Sequence, residues 1–98
     1  MSLGCCCLKV RAHVFVSGLV QGVFFRHETR RVANRHSVTG WVRNLRDRRV
    51  EAVFEGENKD VEDMIAFCHQ GPHGAVVRKV EVIWEEPTGE FRDFQVRY

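Results

Sequence analysis

Leu8-Lys9-Val10-Arg11-Ala12-His13-Val14-Phe15-Val16-Ser17 runs directly into Gly18-Leu19-Val20-Gln21-Gly22-Val23-Phe24-Phe25-Arg26, and the hydrophobic period changes across the junction. In the first part Leu8, Val10, Ala12, Val14 and Val16 alternate with Lys9, Arg11, His13, Phe15 and Ser17, the period of a strand with one buried face. Gly18 to Val23 breaks the alternation, as a glycine-bounded loop does. From about Phe25 the apolar positions become Phe25, Thr29, Val32, Ala33 and His36, the stripe of an amphipathic helix that stops near Ser37.

Working outward, residues 40–45 and 49–55 read as strands joined by a tight hairpin at Arg46-Asp47-Arg48, with Gly56 ending the second. Asn58 is suited to cap a second helix. Val61, Met64, Ile65 and Cys68 form its apolar stripe, and Gly71-Pro72 ends it. Val76 to Glu86 reads as a strand with Val80, Val82 and Trp84 facing inward, and Phe94 to Tyr98 as a short last strand. This order, β-α-β-β-α-β plus a short strand, predicts an α+β fold: a ferredoxin-like βαββαβ sandwich. Strands with one apolar face imply an antiparallel sheet carrying both helices on that face and leaving the other to solvent. The expected division is a flexible segment over residues 1–7 and one domain over residues 8–98.

With 98 residues, 44% hydrophobic and 29% charged, the chain has the composition of a single globular domain rather than of a disordered segment. No stretch approaches the length of a membrane span, and the start lacks the basic region of a signal peptide, so a cytoplasmic protein is expected. Charge is unevenly placed: residues 1–49 hold ten Lys/Arg against two acids, residues 50–98 five against eleven. Such asymmetry points to a basic face for a small anion or a nucleic acid, or to solvated helix arginines. The Cys5-Cys6-Cys7 run has no Cys-x-x-Cys spacing and reads as a ragged terminus.

His27-Glu28-Thr29-Arg30-Arg31 starts like a zincin helix, but Arg31 stands where a second His is needed, and the five histidines lack ligand spacing. No metal and no cofactor is expected. The loop from Gly18 to Phe25 is informative because successive N–H groups in a strand-to-helix turn can face one concavity, where the helix dipole adds to them. Arg26, in the first helical turn, has the forked donors that suit two phosphate oxygens. Alone, such a turn is equally readable as a plain connection with a solvated arginine.

Val20-Gln21-Gly22-Val23-Phe24-Phe25-Arg26 together with Gly40-Trp41-Val42-Arg43-Asn44 resembles the acylphosphatase family, in a likeness running from about Lys9 to Tyr98. The likeness includes Gly71-Pro72 before Ala75 and the closing Phe94-x-Val96-Arg97-Tyr98. It implies an enzyme that hydrolyses the carboxyl–phosphate anhydride of acyl phosphates to a carboxylate and inorganic phosphate. It further implies that Gly18, Leu19, Val20, Gln21, Gly22, Val23, Phe24, Phe25 and Arg26 bind the phosphoryl group and that Asn44 positions the attacking water. The expected partners are therefore a small acyl phosphate and phosphate, for a monomer without nucleic acid or membrane. Ser37 departs from the family, whose members usually end this helix with glycine.

Two rivals come from other classes. An RNA-binding sheet would need aromatics on its open face, where Phe15 is one candidate but Glu51, Val53 and Glu55 occupy the third strand. A non-catalytic domain binding a phosphorylated metabolite would not need both Arg26 and Asn44. A related module also begins larger carbamoyl-phosphate-using maturation proteins.

Overall fold

The computed structural model describes residues 9–98. The expected flexible segment 1–7, with its cysteine run, and Leu8 lie outside the described residues. Along the chain lie β1 (Lys9–Leu19), α1 (Phe25–Arg35), β2 (Thr39–Asn44), β3 (Val50–Glu57), α2 (Asn58–Gln70), β4 (Val76–Glu85) and β5 (Phe94–Arg97). The sheet order is β4-β1-β3-β2-β5. Four strands are antiparallel, but β5 lies parallel to β2, pairing Gly40 with Phe94 and Val42 with Val96. The sheet is thus mixed rather than wholly antiparallel, because the segment after β4 crosses the sheet before β5 enters at the far edge.

Both helices cover one face, as the alternation of β1 requires. Ala12, Val14 and Val16 are buried there with Val50, Ala52 and Phe54 of β3, Phe25 and Ala33 of α1, and Val61, Met64 and Cys68 of α2. Burial pushes the Cys68 thiol up to about 12, so it behaves as a small apolar group. Thr29 joins the apolar stripe of α1 without an unsatisfied hydroxyl, since its Oγ1 donates to the Phe25 carbonyl at 2.7 Å.

Several boundaries differ from the sequence reading. β1 continues through Gly18 and Leu19 after a bulge at Ser17/Gly18 against β4. Gly56 does not end β3; it pairs with Val10, and β3 continues to Glu57. Asn58 is the first helical residue of α2, because Glu57 already holds the extended N-cap conformation. Trp84 is 53% exposed rather than inward. β4 is an edge strand, and only Val77, Val80 and Val82 of it pack on the core.

The second face is not left to solvent either. Glu51 and Glu55 of β3 are each 6% exposed, and Val53 is 1% exposed. Glu51 accepts from His13 at 2.6 Å and from Arg43 at 2.6 Å, so Arg43 is paired rather than simply solvated. Burial raises the cost of ionising Glu51, yet these two donors hold its carboxyl below the usual glutamate range. Glu55 accepts from the Thr88 and Gly89 amides at 3.0 and 2.7 Å, while Arg11 reaches Glu85, Thr88 and Glu90. These bonds pin the crossover that carries the chain to β5.

Helix α1 ends in a Schellman turn. The Ser37 and Val38 amides donate back to the Asn34 and Ala33 carbonyls at 3.3 and 2.9 Å, and Ser37 stands at φ 59°. A serine in left-handed backbone costs roughly 1 kcal/mol that glycine avoids. Ser37→Gly should therefore raise stability by about 1 kcal/mol, or several degrees in Tm for a domain of this size. Urea and thermal unfolding check this; an unchanged or lowered midpoint would mean the turn is not strained.

Candidate active site

The loop between β1 and α1 is bent by its own backbone. Gly22 has φ 75°, and Phe24, at φ 61°, precedes the first helical residue in left-handed conformation with its ring 78% exposed. Left-handed backbone at a bulky residue persists only where its surroundings fix it, commonly beside a functional site. Here it turns the chain directly into α1. No backbone N–H from Val20 to His27 donates to another of the described residues; the first intrahelical bond is Glu28 to Phe24. These unpaired donors lie at the positive end of α1, the arrangement that attracts an anion.

Gln21 holds this loop against the hairpin. Its Nε2 donates to the carbonyls of Leu45 and Arg49, at 2.8 and 2.9 Å. The hairpin is closed by the Leu45 amide on the Arg49 carbonyl, with Arg48 at φ 77°. Asn44, the last residue of β2, is thereby fixed beside the loop.

A pocket of about 360 Å³ opens there, lined by Val20, Gly22, Phe24, Phe25, Arg26, His27, Arg30, Asn44, Val96 and Tyr98. Of the residues picked from sequence, Val20, Gly22, Phe24, Phe25, Arg26 and Asn44 meet in it. Gly18, Leu19, Gln21 and Val23 do not line it. Gly18 and Leu19 pair with β4, Gln21 uses its side chain on the hairpin, and Val23 packs on the core. At Gly18 the backbone of β4 is so near that a Cβ would collide with the Val76 carbonyl oxygen.

The two singled-out polar side chains are held differently. The Arg26 guanidinium donates to the Arg97 carbonyl at 3.1 Å and lies 4.6 Å from the centre of the Tyr98 ring. The end of β5 and the residue after it thus fix Arg26 by one hydrogen bond and one cation–π contact, leaving other donors of the fork unpaired among the described residues. Asn44 is the opposite case. Its Oδ1 is buried and has no hydrogen-bond partner among the described residues. A buried carbonyl oxygen in that state costs about 1–3 kcal/mol and is an acceptor ready for an O–H donor.

Sequence reading missed three features of this place. The Arg97 carbonyl and the Tyr98 ring were recognised as part of a closing motif but without a role. Arg30 lies off the apolar stripe of α1 and was given no role, although its spacing of four from Arg26 puts it on the same helical face. Away from the pocket, His36, Asp60 and Asp63 bring side-chain ligand atoms within 4.8 Å of one another where α1 ends and α2 begins. His36 Nδ1 is 3.5 Å from Asp60 and 3.7 Å from Asp63, spacing that no local pattern reveals.

The fold is a ferredoxin-like sandwich whose first strand-to-helix turn lies in one pocket with Asn44. The acylphosphatase family model matches residues 12–96, and the chain belongs to the acylphosphatase family. An acylphosphatase of Roseiflexus sp. (strain RS-1) is 57% identical over 86 residues, 88% of this chain and 92% of the relative. Among solved structures, an acylphosphatase from Coxiella burnetii superposes with a TM-score of 0.82 at 41% identity, covering 91% of this chain and 93% of that one. One from Bacillus subtilis gives 0.87 at 27% identity, covering 91% and 99%.

The stacking of Arg26 on Tyr98 sets a modest expectation. An exposed cation–π contact contributes about 0.5–1 kcal/mol. Tyr98→Ala should weaken inorganic phosphate binding roughly two- to fivefold with folding intact, read by calorimetric titration and circular dichroism. Unchanged affinity would show that the ring does not hold the guanidinium.

Proposed function

We propose that this pocket hydrolyses the carboxyl–phosphate anhydride of acyl phosphates, with water attacking phosphorus in line with the departing carboxylate. The buried, unpartnered Oδ1 of Asn44, in one pocket with Arg26 and the loop amides, carries the reading. The phosphoryl oxygens sit in the arc of N–H groups from Val20 to His27 and on the free donors of Arg26. Asn44 Oδ1 accepts a hydrogen bond from the attacking water and turns one of its lone pairs toward phosphorus.

The chemistry asks for little more. Phosphoryl transfer proceeds through a loose, metaphosphate-like transition state with charge on the equatorial oxygens, so positioning and charge stabilisation dominate. The P–O bond to the acyl group breaks with its electron pair on a carboxylate whose acid has a pKa of roughly 4, which leaves unprotonated. The water's surplus proton goes to the phosphate product or to solvent once the new P–O bond has formed. Orientation alone contributes roughly 7–11 kcal/mol in well-aligned cases. This leaving group requires neither a general acid nor a metal ion. An alkoxide, as in a phosphate monoester, would need a proton donor, a role that neither Arg26 nor Asn44 fills at neutral pH.

No helix among the described residues is long and apolar enough to cross a membrane. The reading takes the chain to act as a cytoplasmic monomer on a small molecule, and the buried free thiol of Cys68 suits a reducing compartment. Against RNA on the second sheet face stand Glu51 and Glu55, already engaged with His13, Arg43 and the crossover amides.

Benzoyl phosphate should be hydrolysed equally with and without chelator, far faster than a simple monoester, and with inorganic phosphate as a competitive inhibitor. Asn44→Ala should leave phosphate affinity nearly intact while kcat falls by orders of magnitude. Arg26→Lys keeps a charge but loses the fork, so phosphate affinity and kcat both fall. Steady-state kinetics and phosphate titration on the two variants separate these roles. An Asn44→Ala enzyme with most of its kcat would remove the water-positioning role, and chelator-sensitive turnover would remove the metal-free course.

A further inference from the structure

Arg30 is a cationic group in the pocket that hydrolysis of a simple acyl phosphate does not use. It lies four residues after Arg26, hence one turn and about 6 Å further along the same face of α1. It lines the pocket beside Tyr98 and also the adjoining groove that runs past Asn34 and Gln95. Among the described residues it makes neither an ion pair nor a side-chain hydrogen bond, whereas the next residue, Arg31, is held by Glu28 at 2.8 Å. Asp93 shares the adjoining groove but makes no ion pair with Arg30. The pocket itself is lined by Arg26, His27 and Arg30 and by no acidic residue.

We infer that Arg30 is a specificity-determining residue, and that the acyl half of the preferred substrate carries a second anionic group, a carboxylate or phosphate, which Arg30 binds. The inference rests on the reading that Arg26 and the loop amides hold the phosphoryl group. With that group fixed, the acyl half extends into the rest of the pocket, whose lining includes the exposed Phe24 and Tyr98. Arg30 lines the same pocket, with its donors unpaired among the described residues. Its planar fork matches a carboxylate or phosphate in two parallel hydrogen bonds. A substrate with a neutral acyl half would leave this cation in solvent beside an already basic site, with no contribution to selecting one acyl group over another.

The test isolates charge. 3-Carboxybenzoyl phosphate is compared with 3-carbamoylbenzoyl phosphate, which matches it in shape, on wild type, Arg30→Gln and Arg30→Glu. The ratio of the two kcat/KM values cancels any effect of Arg30 on the phosphoryl group common to both substrates. An exposed charge pair contributes roughly two- to fivefold. Wild type should favour the carboxy substrate by that factor, Arg30→Gln should bring the ratio to about one, and Arg30→Glu should invert it. A ratio unaffected by either substitution would overturn the inference and leave Arg30 an ordinary solvated side chain.

Calorimetric binding of the matching phosphonates, 3-carboxy- and 3-carbamoylphenacyl phosphonate, reads the same preference without turnover. A wild-type preference for the carboxy phosphonate that disappears in Arg30→Gln supports the inference even if acyl phosphates are not hydrolysed, in which case the proposed reaction alone fails. Turnover of both acyl phosphates with equal phosphonate affinities sinks the inference alone.

Discussion

An arc of backbone amides with no internal acceptor is the constraint on which the rest of this structure depends. From Val20 to His27 the N–H groups are unpaired among the described residues. Leaving so many donors open is costly unless a solute or water takes them up. The chain keeps them open by two means. Phe24 in left-handed backbone prevents the loop from extending α1 backwards, and Gln21 ties the loop to the Leu45 and Arg49 carbonyls. The cradle we propose is therefore a property of the backbone, suited to oxyanions in general. What is done to the anion depends on the side chains around it.

Those side chains are brought together at one end of the neighbouring parallel strands β2 and β5, which explains why the second sheet face is so heavily tied. Asn44 leaves β2, and Arg26 rests on β5, which reaches the edge of β2 only after crossing the sheet. Glu55 holds the crossover by two amides, and Arg11 adds bonds to Thr88 and Glu90. The crossover ends with the Gly40 amide on the Asp93 carbonyl at 3.0 Å, next to the first β2–β5 pair. Ion pairs remote from the pocket thus set where the Arg97 carbonyl lies, and through it where the guanidinium of Arg26 points. Such pairs contribute little as isolated surface contacts, but here the two central glutamates are nearly buried and fully engaged.

The helices and the element order were legible in the sequence because they rest on local periods: Phe25, Thr29 and Ala33 on α1, Val61, Met64 and Cys68 on α2, and the alternation of β1. Ser37 was legible too, since a Schellman turn demands left-handed backbone at that position whatever residue stands there. The errors arose where tertiary packing overrides a local rule. Gly56 resembles a strand end but continues the ladder of the central strand opposite Val10, and Trp84 has an inward period on an edge strand with too little core to meet it. Of the site, Arg26 and Asn44 followed from the family motifs. The groups that hold them were not legible, because a carbonyl at Arg97 or Leu45 has no signature in residue type. Arg30 had a usable signal in its spacing from Arg26, but that signal matters only once the pocket is known to open on that face.

The claim at the centre is that a water held by Asn44 attacks phosphorus rather than the acyl carbon. Hydrolysis of benzoyl phosphate in oxygen-18 water, with mass analysis of both products at early turnover, tests it directly. Attack at phosphorus places the label in inorganic phosphate and none in benzoate. Label in benzoate would mean that water attacks the carbonyl carbon, and the roles given to the amide cradle, Arg26 and Asn44 would all have to be reassigned.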